Sequence, residues 1–265
     1  MIPHTASGFG YVITGTPFLD SLNLTLNCRP GDVVVTGTTA SDYVKWTSRA
    51  SAGSSSTNSL YRYGNGNAIR NSTGELNGKS TLISPPGSAV DTQVTAYNSG
   101  ASSQRTADYV IGSIGVNPSL TFTIALLCKF SNNSDTALQY LCGEPNDITS
   151  MARYNGNKAR CNQYFGTVDV TLRTANTWQV IWMNLSSAGT VSGIAIDNDA
   201  YTTFAPSNPA YGVTTNPFIV GAQGTVFTTC DFEVGGIWTS ANVLSAGDRS
   251  LIMAELRTFT GEALI

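Results

Sequence analysis

Apolar and polar residues alternate with a period of two along much of the chain. Phe122, Ile124, Leu126, Cys128 and Phe130 interleave with Thr121, Thr123, Ala125, Leu127 and Lys129. Successive side chains of an extended chain point to opposite faces. The run therefore predicts a strand about 30 Å long, with one face buried and the other in water. Leu22, Leu24, Leu26 and Cys28 alternate with Asn23, Thr25 and Asn27 and predict another strand. Trp178 to Leu185 is apolar on both phases, the pattern of a central strand covered on both sides. Ile194 and Ile196 alternate up to the turn-like Asp197-Asn198-Asp199, and Phe218 to Val220 is a further short run. Near the end, Cys230, Phe232 and Val234 alternate with Asp231, Glu233 and Gly235.

Clusters of Gly, Pro, Asn and Ser separate these runs, at 53–58, 64–67, 84–88, 98–103, 155–157 and 206–209. Short strands punctuated in this way predict an all-β protein, an antiparallel β-sandwich of the jelly-roll kind, with one short C-terminal helix. Ser245 caps that helix and Asp248 stands three residues on, as a capping box requires. Leu251, Ile252, Leu256 and Phe259 share a face, Arg257 suits the negative end of the dipole, and Gly261 stops the helix. The helix is expected to cover one end of the sandwich. Residues 1–17, broken by Pro3, Gly8, Gly10, Gly15 and Pro17, are expected to form an N-terminal arm that can dock elsewhere; residues 18–265 form the sandwich. No repeat or linker divides the chain further.

Composition narrows the function classes. Charged residues make up only 12% of the chain, and the 14 basic ones are scattered within a net charge of −3. No basic stripe marks a nucleic-acid footprint. No apolar run is long enough to cross a membrane as a helix, and the N-terminus lacks the basic-then-apolar pattern of a secretory signal. The five cysteines are odd in number and contain no CxxC, so reduced, buried thiols are expected. His4 is the only histidine and lies in the arm, which removes histidine-based metal or triad chemistry.

The stretch FEVGGIWTSANVLSAGDRSLIMAEL, starting at Phe232, resembles the C-terminal signature of laminin-G-like domains in the concanavalin A-like lectin/glucanase superfamily. Gly235, Gly236, Ile237 and Trp238 occupy its strand end, and Val243, Leu244, Ser245 and Asp248 its step into the helix. LTFTIALLCKF (120–130) and TWQVIWMNLSSAGTVSGIAIDN (177–198) are similar to the family's central and Trp-led strands. VKWTSRAS, GNGNAI and ELNGKSTLI resemble the opening of its bacterial and phage branch. The resemblance implies a jelly-roll sandwich for roughly residues 20–262. It does not imply one function, because the fold hosts lectins, hydrolases, adhesion modules and virion proteins.

The chemistry follows from single residues. Glucanases of that superfamily carry a Glu-x-Asp-x-x-Glu cluster. Here Asp231 and Glu233 stand in the wrong order and Gly236 occupies the third place, so both acids are expected on a solvent-facing strand surface and no catalytic residue is assigned. Asp197 and Asp199 offer oxygen ligands for calcium, which many laminin-G-like domains bind; Asp-Asn-Asp is equally good turn chemistry, and no cofactor is expected. Tyr61, Tyr63, Asn65 and Asn67, in a glycine-bearing stretch, combine aromatic faces with amides and are the glycan-binding candidates. A single sandwich beginning at Met1 without a leader, with a weakly charged Ser/Thr/Gly/Asn surface and an arm, is expected to be a bacteriophage virion protein. It would be a non-enzymatic tail or head-decoration component, docked to other virion proteins through the arm and homo-oligomeric, with a trimer expected. It would assemble in the host cytoplasm and contact a host surface glycan. A lectin-like module is the alternative, and a glycoside hydrolase the least favoured reading.

Overall fold

The structure, a computed structural model, describes residues 19, 22, 24–35, 43–46, 49, 60–62, 70–76, 79–84, 109–111, 122–131, 139–143, 149–163, 166–185, 192–205, 218–220, 232–240 and 242–260. They form two antiparallel sheets. The first runs β15 (Thr202–Phe204), β14 (Ser192–Ile196), β13 (Gln179–Leu185), β8 (Phe122–Phe130), β17 (Phe232–Ser240), β6 (Lys79–Ser84), β5 (Arg70–Leu76), with β1 (Leu24–Cys28) also on β17. The second runs β12 (Gly166–Thr171), β11 (Lys158–Gln163), β10 (Thr149–Tyr154), β9 (Gln139–Gly143), β16 (Phe218–Val220), β7 (Tyr109–Ile111), β4 (Leu60–Arg62), β3 (Tyr43–Trp46), β2 (Val33–Val35). The antiparallel sandwich expected from the alternation is the observed architecture. No helix among the described residues is long and apolar enough to cross a membrane.

Two hydrophobic layers hold it. Between the sheets, Leu26, Cys28, Ile124, Leu126, Cys128, Ile181, Met183, Ile194 and Ile237 meet Trp46, Leu141, Cys142, Met151 and Cys161. On the outer face of the first sheet, Leu24, Leu76, Ala125, Leu127, Trp178, Val180, Trp182 and Trp238 pack with Leu19, Leu244, Ile252, Met253 and Leu256. The last three belong to helix α1 (Ala246–Thr260). Burying each large aliphatic side chain contributes about 1.5–3 kcal/mol, so both layers matter to stability.

This second layer corrects the picture of a strand with one wet face. In β8 the inward phase is as expected, but Thr123, Ala125 and Leu127 are also buried. The reason is α1, which lies across the outer face of the first sheet and does not cap an end of the sandwich. The capping box itself is formed: Ser245 Oγ accepts from the Asp248 N–H (3.1 Å) and the Ser245 N–H donates to Asp248 Oδ2 (3.0 Å). Leu251 is not on the buried face; it is half exposed, while Ile252, Met253 and Leu256 face inward. Phe259 lies outside the residues whose side chains are described. β13 is buried at every position, as its two apolar phases required.

Strand phase also slips within β1. Leu24 joins the outer layer while Leu26 and Cys28 join the inner one, because the β1–β17 register shifts between Leu24 and Leu26. Such a bulge admits one extra residue and reverses the facing of everything beyond it. The four cysteines within the described residues (Cys28, Cys128, Cys142, Cys161) are free and buried, as expected. Burial pushes the Cys142 and Cys161 thiols up, which keeps them protonated and inert.

β17 is the keystone of the first sheet. β8 pairs with it along its length; on its other side β6 pairs with Phe232–Val234 and β1 with Ile237–Ser240. The exchange of partners falls at Gly235 and Gly236, where the register against β8 also shifts. From there a polar chain crosses the outer layer. Trp238 Nε1 donates to Asn27 Oδ1 (3.0 Å), Arg29 Nε donates to the same oxygen (3.1 Å), Arg29 pairs with Glu255 of α1 (3.6 Å), and Glu255 accepts the Leu19 N–H (2.8 Å).

Candidate functional site

The two sheets meet along one rim, where edge strand β12 of the second sheet lies beside β14 and β15 of the first. β12 forms a hairpin with β11 and alternates Val168 and Val170 toward the core. β14 ends in the turn at Asp197, which leads through Asp199 and Ala200 to β15. A cleft of about 400 Å³ opens between them. Its apolar lining is Val170, Leu172 and Ile196; its polar lining is Asp169, Thr171, Arg173, Asp199 and Thr202, with Ala200 at the turn.

The charged groups of the cleft are held in place from behind. Asp169 stands opposite Arg160 in the β11–β12 register, and the guanidinium grips both carboxylate oxygens (2.7 and 2.9 Å). The same guanidinium lies 3.7 Å from the Tyr154 ring centroid, a cation–π stack that fixes its plane. Asp197 is buried with φ of 52°. Its Oδ1 accepts the Val180 N–H (2.7 Å) and its Oδ2 accepts Arg173 Nε (2.8 Å). Arg173 then reaches Asp199 Oδ2 with Nη2 (3.1 Å), and its own N–H donates to Gln179 Oε1 (3.0 Å). Hydrogen bonds to Asp169 and Asp197 respectively hold the Arg160 and Arg173 guanidiniums above their ordinary values. Burial pushes the Asp197 carboxyl up, and the Val180 N–H and Arg173 pull against it.

The calcium candidates are thus brought together, but around an arginine. Both oxygens of Asp197 accept N–H donors, and Asp199 turns its Oδ2 to the same guanidinium. Among the described residues no group of three His, Cys, Asp or Glu is arranged to hold a metal ion. Of the glycan candidates, Tyr61 lies in β4, paired with Lys45 and Val110. Tyr63, Asn65 and Asn67 lie outside the described residues, as do Asp231, Cys230 and the 1–17 arm.

Glu233 corrects the expectation of a wet strand face. It is only 6% exposed. Its carboxylate accepts from the Thr81 hydroxyl and pairs with Lys129 Nζ at 3.0 Å, directly across the β17–β8 register. Lys129 in turn lies over the Trp178 ring (5.2 Å). The sheet's outer face is roofed over, so the acid that alternation placed in water is enclosed and neutralised by its cross-strand neighbour.

Behind the turn, Arg249 of α1 donates to the Asp199 carbonyl (3.1 Å) and stacks on Tyr201 (4.3 Å), whose hydroxyl donates to Asn184 Oδ1 (3.0 Å). Burial pushes the Tyr201 hydroxyl up from 10.0 to about 12, with Arg249 and Asn184 pulling the other way. The unfolded chain ionises this tyrosine first, so folding stability is intact below pH 10 and declines as the pH climbs toward 12. The loss expected is roughly 2 kcal/mol. Urea denaturation at pH 9 and pH 11.5 should show Tyr201→Phe losing less stability than the unsubstituted chain; equal losses contradict this assignment.

Arg173 and Asp169 had a legible signal. Val168, Val170 and Leu172 alternate with Thr167, Asp169, Thr171 and Arg173, which marks a half-buried strand. Nothing in that alternation says that Arg173 meets Asp197, because the contact is made across the rim.

No protein-family model matches the chain, and no curated protein matches it by sequence. Solved structures share its fold. The binding domain of Paraclostridial Mosquitocidal Protein 1 aligns with a TM-score of 0.55 at 13% identity, over 89% of this chain and 52% of that one. The binding domain of botulinum neurotoxin serotype D/C aligns at 0.50 and 9% identity, over 90% and 53%. A mutant Trypanosoma rangeli sialidase displaying trans-sialidase activity aligns at 0.50 and 10% identity, over 92% and 34%. The chain therefore spans about half the length of the toxin domains and about a third of the sialidase. Identities this low carry the fold alone, an antiparallel β-sandwich.

Proposed function

We propose that the chain is a non-catalytic binding module that engages surface glycans through the cleft between β12 and β15. The observation that carries this reading is the cleft itself. It is open to solvent and presents the Asp169 and Asp199 carboxylates, each already oriented by an arginine. Vicinal sugar hydroxyls donate in pairs, and a carboxylate with unused acceptor capacity on a fixed plane receives them without a further ordering cost. Val170, which is only partly buried, offers apolar surface to the ring carbons. Two structures of similar fold are binding domains of toxins, which agrees with a recognition role for such a sandwich.

The setting we propose is a bacteriophage particle, with the arm docked to other virion proteins and several copies displayed together. An isolated cleft of this size gives weak affinity, and display in multiple copies raises it by effective concentration. That setting predicts the protein in purified particles, and its loss from them when residues 1–15 are deleted. No catalytic role is assigned to Glu233, whose carboxylate is engaged by Lys129 and Thr81. Release of reducing sugar that disappears with Glu233→Gln contradicts the non-catalytic reading.

The cleft is tested by filling it. Ala200 is exposed at the turn, so Ala200→Trp should fold normally and project an indole across the opening. Glycan-array binding by the unsubstituted chain should drop at least tenfold in the variant, an effect of about 1.4 kcal/mol. Unchanged binding moves the site elsewhere.

A further inference from the structure

We infer that the cleft discriminates by charge, accepting saccharides without acidic groups and rejecting uronic and sialic ones; this rests on the glycan-binding reading above. Arg173 is the one cation lining the cleft among the described residues. An arginine in a sugar site ordinarily serves as the fork that grips a ligand carboxylate. Here the fork is occupied: Nε is bound to Asp197 (2.8 Å) and Nη2 to Asp199 (3.1 Å), both from the β14–β15 turn. Asp197 is in turn fixed by the Val180 N–H (2.7 Å), so it cannot swing aside to release the guanidinium. Arg160, behind the lining, is likewise bound to Asp169 through Nε and Nη2, and Arg249 behind the turn donates to the Asp199 carbonyl. The Asp169, Asp197 and Asp199 carboxylates and the Arg160 and Arg173 guanidiniums are thus paired among themselves. An incoming carboxylate meets guanidiniums already bound to aspartates and the exposed Asp199 carboxylate beside them. A hydroxyl-only ring meets acceptors, which is what its donors need.

The pivot is Asp199, the most exposed of the three acids at 57%. Asp199→Asn removes one carboxylate from the cleft and, with it, the ion pair to Arg173 Nη2. The experiment uses the full chain with cellohexaose, maltohexaose, chitohexaose and hexagalacturonate as probes, followed by amide chemical shifts at Thr171, Ala200 and Thr202. Support consists of shifts with at least one neutral hexamer, none with hexagalacturonate, and a gain of about tenfold in hexagalacturonate affinity for Asp199→Asn at low salt. Hexagalacturonate binding the unsubstituted cleft as tightly as the neutral hexamers overturns the charge selectivity while leaving the binding module standing. No shift with any of the four overturns the glycan reading itself, and this inference with it.

Discussion

Replacing Gly236 with alanine is expected to destabilise the fold by roughly 3 kcal/mol, a cost at the upper end of overpacking in a filled core. Backbone preference alone predicts the opposite sign, because glycine within a strand is normally worse than alanine by about 0.5–1 kcal/mol. Sterics decide. A methyl group at Gly236 would overlap the six-membered ring of Trp238, with Cζ2 at 2.7 Å, and would approach the Cys28 carbonyl oxygen to 3.1 Å. Trp238 is fully enclosed and anchored to Asn27, and Cys28 belongs to β1, so neither neighbour can yield cheaply. Gly235→Ala is the internal control. Its methyl would meet Leu127 and Leu76 methyls at 3.0 Å and Trp178 at 3.1 Å, and leucine ends can rotate, so a loss of about 1 kcal/mol is expected. Urea midpoints of the two variants settle the order. A Gly236→Ala chain as stable as the unsubstituted one removes the close approach of β1 and β17 from the account.

Asp197→Ala is expected to cost roughly 3 kcal/mol, since truncating one partner of a buried charged pair strands the other groups. Three losses combine. The buried Val180 N–H loses an acceptor, Arg173 loses its Nε partner, and alanine must adopt a φ of 52° that disfavours it by about 1 kcal/mol. Arg173 keeps Asp199 and partial access to water, which holds the total at the lower end of the range for buried pairs. Asp197→Asn separates the contributions. Asparagine tolerates the left-handed backbone and keeps an oxygen for Val180, so it should restore more than half of the lost stability. If Asn and Ala variants unfold at the same urea concentration, the ion pair with Arg173 carries the whole effect.

How much was legible follows from the range of each signal. The Ser245–Asp248 capping box needs four consecutive residues and was written in them. The inward phase of Ile124, Leu126 and Cys128 was legible because one burial period ran uninterrupted through nine residues. The outward phase was not. Ala125, Leu127 and Thr123 look wet in isolation, and only the docking of α1 from the end of the chain roofs them. Glu233 is buried rather than on the surface because Thr81 and Lys129 from the strands beside it close over its carboxylate. Leu24 changed layers because a bulge in one strand is set by its partner's register, which alternation does not encode. The Asp197 turn was visible as a turn, while the arginine it holds arrives from the segment between β12 and β13. Tyr63, Asn65 and Asn67 lie outside the described residues, and of Tyr61 only the strand position is described.

The central place of β17 has a consequence for synthesis. It is the last strand among the described residues, yet its neighbours β1, β6 and β8 are all made long before it. A chain growing from its N-terminus therefore emerges with three strand edges facing a gap that nothing yet fills. Unpaired edges are templates for pairing with other chains, and pairings distant in sequence form slowly. The growing chain thus depends on restraint until residues 232–260 have been made, when β17 enters the gap and α1 follows onto the sheet behind it. Truncations that stop before Phe232 should accumulate as aggregates and not as a smaller folded domain.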